Sequence, residues 1–129
     1  MGDTPLAGRR ILVVDDQPSI RGILETALSD AGADVWCVPD GPTAITLLET
    51  ANPELILLDL AMPGMNGFEL TKKLLANEPA LRVLAVSGLS NEGAVSLALE
   101  AGASAFLLKG GLYDEVGDAI VAAAAPHHH

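Results

Sequence analysis

Leu55-Ile56-Leu57-Leu58-Asp59-Leu60-Ala61-Met62-Pro63-Gly64-Met65-Asn66-Gly67 is the stretch that decides the fold. It opens as a run of large apolar residues, which reads as a strand buried on both faces. It then presents one carboxylate, Asp59, and breaks into a loop marked by Pro63, Gly64 and Gly67. A strand apolar on both faces belongs inside a parallel sheet covered by helices. A carboxylate at the carboxyl end of such a strand faces the crevice where open α/β sheets place their ligands.

Working outward, short apolar runs alternate with helical spacing. Arg10 to Val14 reads as the first strand, ending at Asp15 and Asp16. Ser19 to Ser29 has helical spacing, with Ile20, Ile23, Leu24, Ala27 and Leu28 on one face. Gly32 suits a left-handed cap behind it. Asp34 to Val38 is the second strand. Gly41-Pro42 opens the second helix, which Asn52-Pro53 ends. Leu55 to Asp59 is the third strand and Phe68 to Ala76 the third helix. Leu81 to Val86 is the fourth strand, ending at Ser87-Gly88. Asn91 can cap a fourth helix that Gly102 stops near Ala101. Ala105 to Leu108 is the fifth strand, ending at Lys109, and Leu112 to about Ala124 is the last helix. Five strands alternating with five helices predict an α/β, doubly wound parallel sheet with helices on both faces.

Composition sets the bounds. The 129 residues suit one domain: a lead-in over 1–8, the domain over 9–125, and a tail over 126–129 whose histidines resemble a purification-tag remnant. Seventeen acidic against seven basic residues give a net charge of −10, which argues against this domain gripping nucleic acid. A DNA-binding domain joined to it in a longer chain remains compatible with that charge. The lone Cys37 cannot form an internal disulfide and suits a small buried hydrophobe in the second strand. No signal peptide and no membrane-length apolar run is seen, so a cytoplasmic location is expected and no membrane partner.

The chemistry lies in where the polar residues fall. Asp15, Asp16, Asp59, Ser87 and Lys109 all stand at strand ends. In a parallel sheet these ends share one edge, so residues scattered over the chain converge there. Three carboxylates together are costly: at about 5 Å and an effective dielectric of about 20, each pair repels by about 3 kcal/mol. A divalent cation removes the conflict, and hard oxygen ligands suit Mg²⁺, with Mn²⁺ able to substitute. A carboxylate acceptor, a cation, a lysine and a hydroxyl are the parts that stabilise a phosphoryl group in transfer. Asp59 is therefore expected to accept one.

Four stretches in order carry a family resemblance: Val13-Val14-Asp15-Asp16-Gln17, Leu57 through Gly67, Ala85-Val86-Ser87-Gly88, and Gly102 through Lys109. The chain resembles a response-regulator receiver domain of two-component signalling over about residues 9–125. That resemblance implies the flavodoxin-like strand order 2-1-3-4-5. It implies phosphorylation of Asp59 by a histidine kinase or histidine phosphotransfer protein. It implies Mg²⁺ held by Asp15 or Asp16, the Asp59 carboxylate and the Ala61 backbone carbonyl. Ser87 and Lys109 would each meet a phosphoryl oxygen. Phe106 would be an aromatic switch that turns inward as Ser87 moves, biasing an output face. The domain would catalyse its own phosphorylation and dephosphorylation without being a turnover enzyme.

Departures from the family pattern sharpen these expectations. Gly110 follows Lys109 where many members have Pro, and Phe106-Leu107-Leu108-Lys109 resembles a subset often joined to helix-turn-helix output domains. Ala61 and Leu89 occupy positions that flank the phosphoryl group in the family, and neither can position an attacking water. Arg21 and Lys72-Lys73 read as solvated faces. The acidic faces carrying Glu100, Asp114, Glu115 and Asp118 lack cations for an ion-paired dimer, so a monomer or a weak apolar dimer is expected.

Two other classes compete: a docking module, and an enzyme that would be either a hydrolase or a flavin carrier. A phosphate-independent docking module would not need the Asp15/Asp16/Asp59/Ser87/Lys109 set. An aspartyl-phosphate hydrolase of the haloacid dehalogenase type would carry a second Asp where Ala61 stands. A flavin carrier would need a phosphate-cradling loop where Asp15 and Asp16 repel phosphate.

Overall fold

Parallel pairing organises the chain. The computed structural model describes residues 6–60, 66–88 and 92–108. They form β1 (Arg10–Val14), α1 (Pro18–Asp30), β2 (Asp34–Val38), α2 (Gly41–Ala51), β3 (Leu55–Asp59), α3 (Gly67–Asn77), β4 (Arg82–Ser87), α4 (Glu92–Ala101) and β5 (Ala105–Leu108). Every neighbouring pair is parallel, and the sheet runs β2-β1-β3-β4-β5. The expected strands and their order are those observed. The described residues hold four helices; the fifth, expected over 112–124, and the Asn91 cap lie outside them.

The apolar runs conceal a period of two. Ile11, Val13, Leu55, Leu57, Leu84 and Val86 turn to one face and meet Leu24 and Leu28 of α1. Leu12, Val14, Ile56, Leu58 and Val83 turn to the other, against Ala44 of α2 and Leu70 and Leu74 of α3. Both layers are apolar because both faces are covered, and so β3 is buried at all five positions. Each fully buried Leu or Ile contributes about 1.5–3 kcal/mol relative to exposure.

Local chemistry sets the helix ends. Behind α1, Gly32 takes φ +99°. The Gly32 N–H donates to the Ser29 carbonyl and the Ala33 N–H to the Leu28 carbonyl, each at 3.0 Å. This double closure satisfies carbonyls that the helix leaves open. Gly102 repeats it behind α4, at φ +112°. Asp40 caps α2 by accepting from the Thr43 N–H at 2.8 Å, and hydrogen bonding from the Thr43 side chain, then from that N–H, holds its carboxyl below the usual range. Asn66 caps α3, accepting from the N–H groups of Phe68 and Glu69.

One helix face departs from the sequence reading. Ile23 is 43 % exposed, whereas Leu24 and Leu28 are buried. At about 100° per residue, Ile23 stands about 120° from the middle of that seam. The helix therefore meets the sheet along a narrower stripe than its apolar residues allow.

The sheet edge at the strand starts is tied by mixed charges. Arg9 Nη1 lies 3.1 Å from Glu54 Oε2. The Arg10 N–H donates to Glu54 Oε1 at 3.1 Å, and Arg10 Nε to the Asn52 carbonyl at 2.7 Å. Glu54 thus joins the start of β1 to the start of β3. No described helix is long and apolar enough to cross a membrane.

Candidate functional site

The opposite edge collects the acids. Asp59 is the last residue of β3 and Ser87 the last of β4. Their strands run in register with Asp59 beside Val86, so Ser87 stands one residue further out. The Leu60 N–H continues that ladder, donating to the Val86 carbonyl at 2.9 Å. Val14 pairs with Leu58, so Asp15 leaves β1 level with Asp59. Asp15 and Asp59 are each 2 % exposed and Ser87 5 %, while Asp16 is open to solvent.

The three carboxylates offer oxygens that all lie within 4.8 Å of one another. At that spacing the repulsion anticipated from the sequence applies, about 3 kcal/mol per ionised pair at an effective dielectric of about 20. Hard oxygens from two buried groups and one solvent-facing group suit a cation that keeps several waters, which is the preference of Mg²⁺. The donor set therefore fits that ion.

Asp15 is gripped at three points. Its N–H donates to the Val38 carbonyl at 3.1 Å. Its Oδ1 accepts from the Gln17 N–H at 2.9 Å, and its carbonyl accepts from Arg21 Nη1 at 2.7 Å. The residue that caps α1 is Gln17, which makes no side-chain cap bond. Asp15 and Asp16 therefore do not serve as the cap of α1. Arg21, which reads from the sequence as a solvated face, is instead half-buried against the acidic corner. Lys72 does stand on a solvated face, 3.8 Å from Glu69 with both side chains about 60 % exposed.

Phe106 of β5 lies beside Ala85 in register. It is half-buried in a small cluster with Ala98 and Ala103, alongside Leu60 and Phe68. Leu108, the last residue of β5, pairs with Ser87. The expected site residues Lys109 and Ala61, like Leu89, lie outside the described residues.

Comparison with known proteins matches this arrangement. The family model described as "Response regulator receiver domain" matches residues 11–120. The DNA-binding response regulator MtrA of Mycolicibacterium smegmatis is 37 % identical over 101 residues, covering 78 % of this chain and 44 % of that protein. Regulator of RpoS of Escherichia coli K12 is 35 % identical over 105 residues, covering 81 % of this chain and 31 % of that protein. The chain thus spans less than half the length of these relatives. Among solved structures, the Vibrio cholerae chemotaxis protein CheY4 superposes with a TM-score of 0.85 at 26 % identity, covering 91 % of this chain and 99 % of that one. With the acidic corner, the parallel order and a family match over most of its length, the chain belongs to the response regulator receiver domain family.

Proposed function

We propose that Asp59 is the phosphoryl acceptor of this receiver domain and that Asp15, Asp16 and Asp59 hold Mg²⁺. The observation that carries this reading is the convergence of three carboxylates within 4.8 Å at the ends of two central strands. By the family resemblance the backbone carbonyl of Ala61 would complete the ligand set, and Mn²⁺ would be able to replace Mg²⁺. The bound cation would neutralise charge on the oxygens of the incoming group.

A carboxylate oxygen of Asp59 attacks phosphorus. A phosphorus–oxygen bond to Asp59 forms as the bond to the donor breaks. The donor leaves with its electron pair: the imidazole of a phosphohistidine on a kinase or phosphotransfer protein, or the carboxylate of a small acyl phosphate. Burial holds Asp59 in one place and limits water around it. The Ser87 hydroxyl donates to one phosphoryl oxygen and Lys109 pairs with another. Hydrolysis of the aspartyl phosphate, run by the same site, resets the domain.

The product brings about −1.5 to −2 of new charge. Ser87 follows the phosphoryl group, and Phe106, packed on small Ala85, turns toward the space left, biasing the face formed by α4 and β5. The chain acts in the cytoplasm, as a monomer or weak dimer, and passes its state to an output domain in a longer protein.

Mass spectrometry after incubation with Mg²⁺ and acetyl phosphate tests the acceptor. Wild type should gain about 80 Da, the mass of one phosphoryl group, and Asp59→Asn should gain nothing. No gain in the wild type, with Mg²⁺ binding confirmed, would leave a docking module in its place.

A further inference from the structure

We propose that Arg21 is a positioning residue for the divalent cation, fixing the peptide that joins Asp15 to Asp16. The inference rests on the reading that Asp15, Asp16 and Asp59 hold Mg²⁺. Asp15 is pinned through its N–H to Val38 and through its carboxylate to the Gln17 N–H. The second of these bonds closes a ring around the peptide that follows, and leaves the carbonyl of that peptide facing out of the ring. Arg21 holds that carbonyl, its Nη1 donating to it at 2.7 Å, and so adds a second restraint on the peptide. A peptide is planar, so holding the carbonyl also holds the N–H and Cα of Asp16. Asp16 is exposed, so packing restrains it less than it does Asp15 and Asp59. The aim of its carboxylate toward Asp15 and Asp59 then depends on the peptide behind it.

The backbone that carries the anchor is itself held. Arg21 is half-buried on α1, and its own carbonyl takes a contact from Cys37 Sγ of β2 at 3.8 Å. A guanidinium bond to a carbonyl is charge-assisted, shorter and stronger than one between neutral groups. Such groups behind metal ligands set affinity by orientation, typically by ten- to a hundredfold.

The guanidinium also carries a positive charge near a cation site, which by Coulomb's law alone opposes Mg²⁺. The two effects differ in sign, and that makes the role testable. Calorimetric titration with Mg²⁺ alone would be run on wild type, Arg21→Met and Arg21→Lys, each well below its melting temperature. Orientation predicts that Arg21→Met binds about tenfold or more weakly. Arg21→Lys, which keeps a donor without the planar fork, should recover part of the loss. Equal affinity in the three proteins overturns the role, and so does tighter binding by Arg21→Met. Should Arg21→Met fail to fold, Arg21→Lys decides alone: weaker binding than wild type supports the role, and equal or tighter binding overturns it. A wild type that does not bind Mg²⁺ removes the metal assignment itself, and this role with it.

Discussion

A Cβ on Gly67 would stand 2.7 Å from the Cα of Leu60 and 3.1 Å from its carbonyl oxygen. The first turn of α3 therefore rests on the backbone that immediately follows Asp59, with no room for a methyl group. The neighbour is main chain, which cannot swing aside as a side chain could. Thr71 braces the same turn, its buried hydroxyl donating to the Gly67 carbonyl at 2.8 Å.

Gly67→Ala should accordingly destabilise the domain by about 1–3 kcal/mol, the usual cost of overpacking. Urea denaturation should show a lower midpoint with an unchanged slope. Because Leu60 is the residue pushed, phosphorylation of Asp59 should also slow. Unchanged stability would mean that α3 can lift from the sheet without loss.

Removing one acid from the corner should stabilise the metal-free domain. Asp59→Asn is close in shape and takes away one of three crowded charges. In chelator its melting temperature should rise by a few degrees, consistent with relief of about 1 kcal/mol or more. Added Mg²⁺ should then stabilise the variant less than it stabilises the wild type. Thermal scans with and without Mg²⁺ check both signs.

The phosphate should be long-lived. Ala61 and Leu89 bring no polar group to orient water, so hydrolysis of the aspartyl phosphate should be slow. Ala61→Asn combined with Leu89→Glu should shorten its lifetime about tenfold, the kind of gain that orienting a reactant brings. Following decay of the phosphorylated mass tests this, and an unchanged lifetime refutes it.

Cys37 should resist alkylation. Burial, aided by the nearby Glu25, pushes its thiol up from 9.0 to about 11, with Arg21 opposing. At pH 8 the thiolate fraction falls about a hundredfold, so iodoacetamide labelling should slow by about that factor relative to the unfolded chain. Since the folded value lies above the unfolded one, the folded state holds its proton longer. Its contribution to stability is present below pH 9 and is lost as pH rises toward 11. Labelling rates with and without denaturant measure the difference.

The strands and the acidic corner were legible because their signals are intrinsic. A strand covered on both faces must be apolar throughout, so Leu55 to Leu58 needed no partner to be recognised. The carboxylates at its end, and after Val14, are conspicuous for their cost. What escaped the pattern depended on tertiary geometry. Whether Ile23 joins the seam of α1 depends on how the helix sits on the sheet. Arg21 reads as a solvated residue because its partner is a main-chain carbonyl, and carbonyls leave no mark on a side-chain pattern. Asp40 and Asn66 are residue types that favour helix starts, but they also favour turns, and only the backbone geometry around them makes them caps.

The register of the sheet has an evolutionary consequence. Val83 and Leu84 serve opposite core layers, and the same strand delivers Ser87 to the edge. One residue inserted within β4 would exchange its two faces and carry Ser87 out of step with Asp59. Core and site would fail together. Insertions and deletions should therefore be confined to the connections between strand and helix. Descendants of this chain are free to lengthen their loops, but they inherit the five strand lengths as a fixed measure.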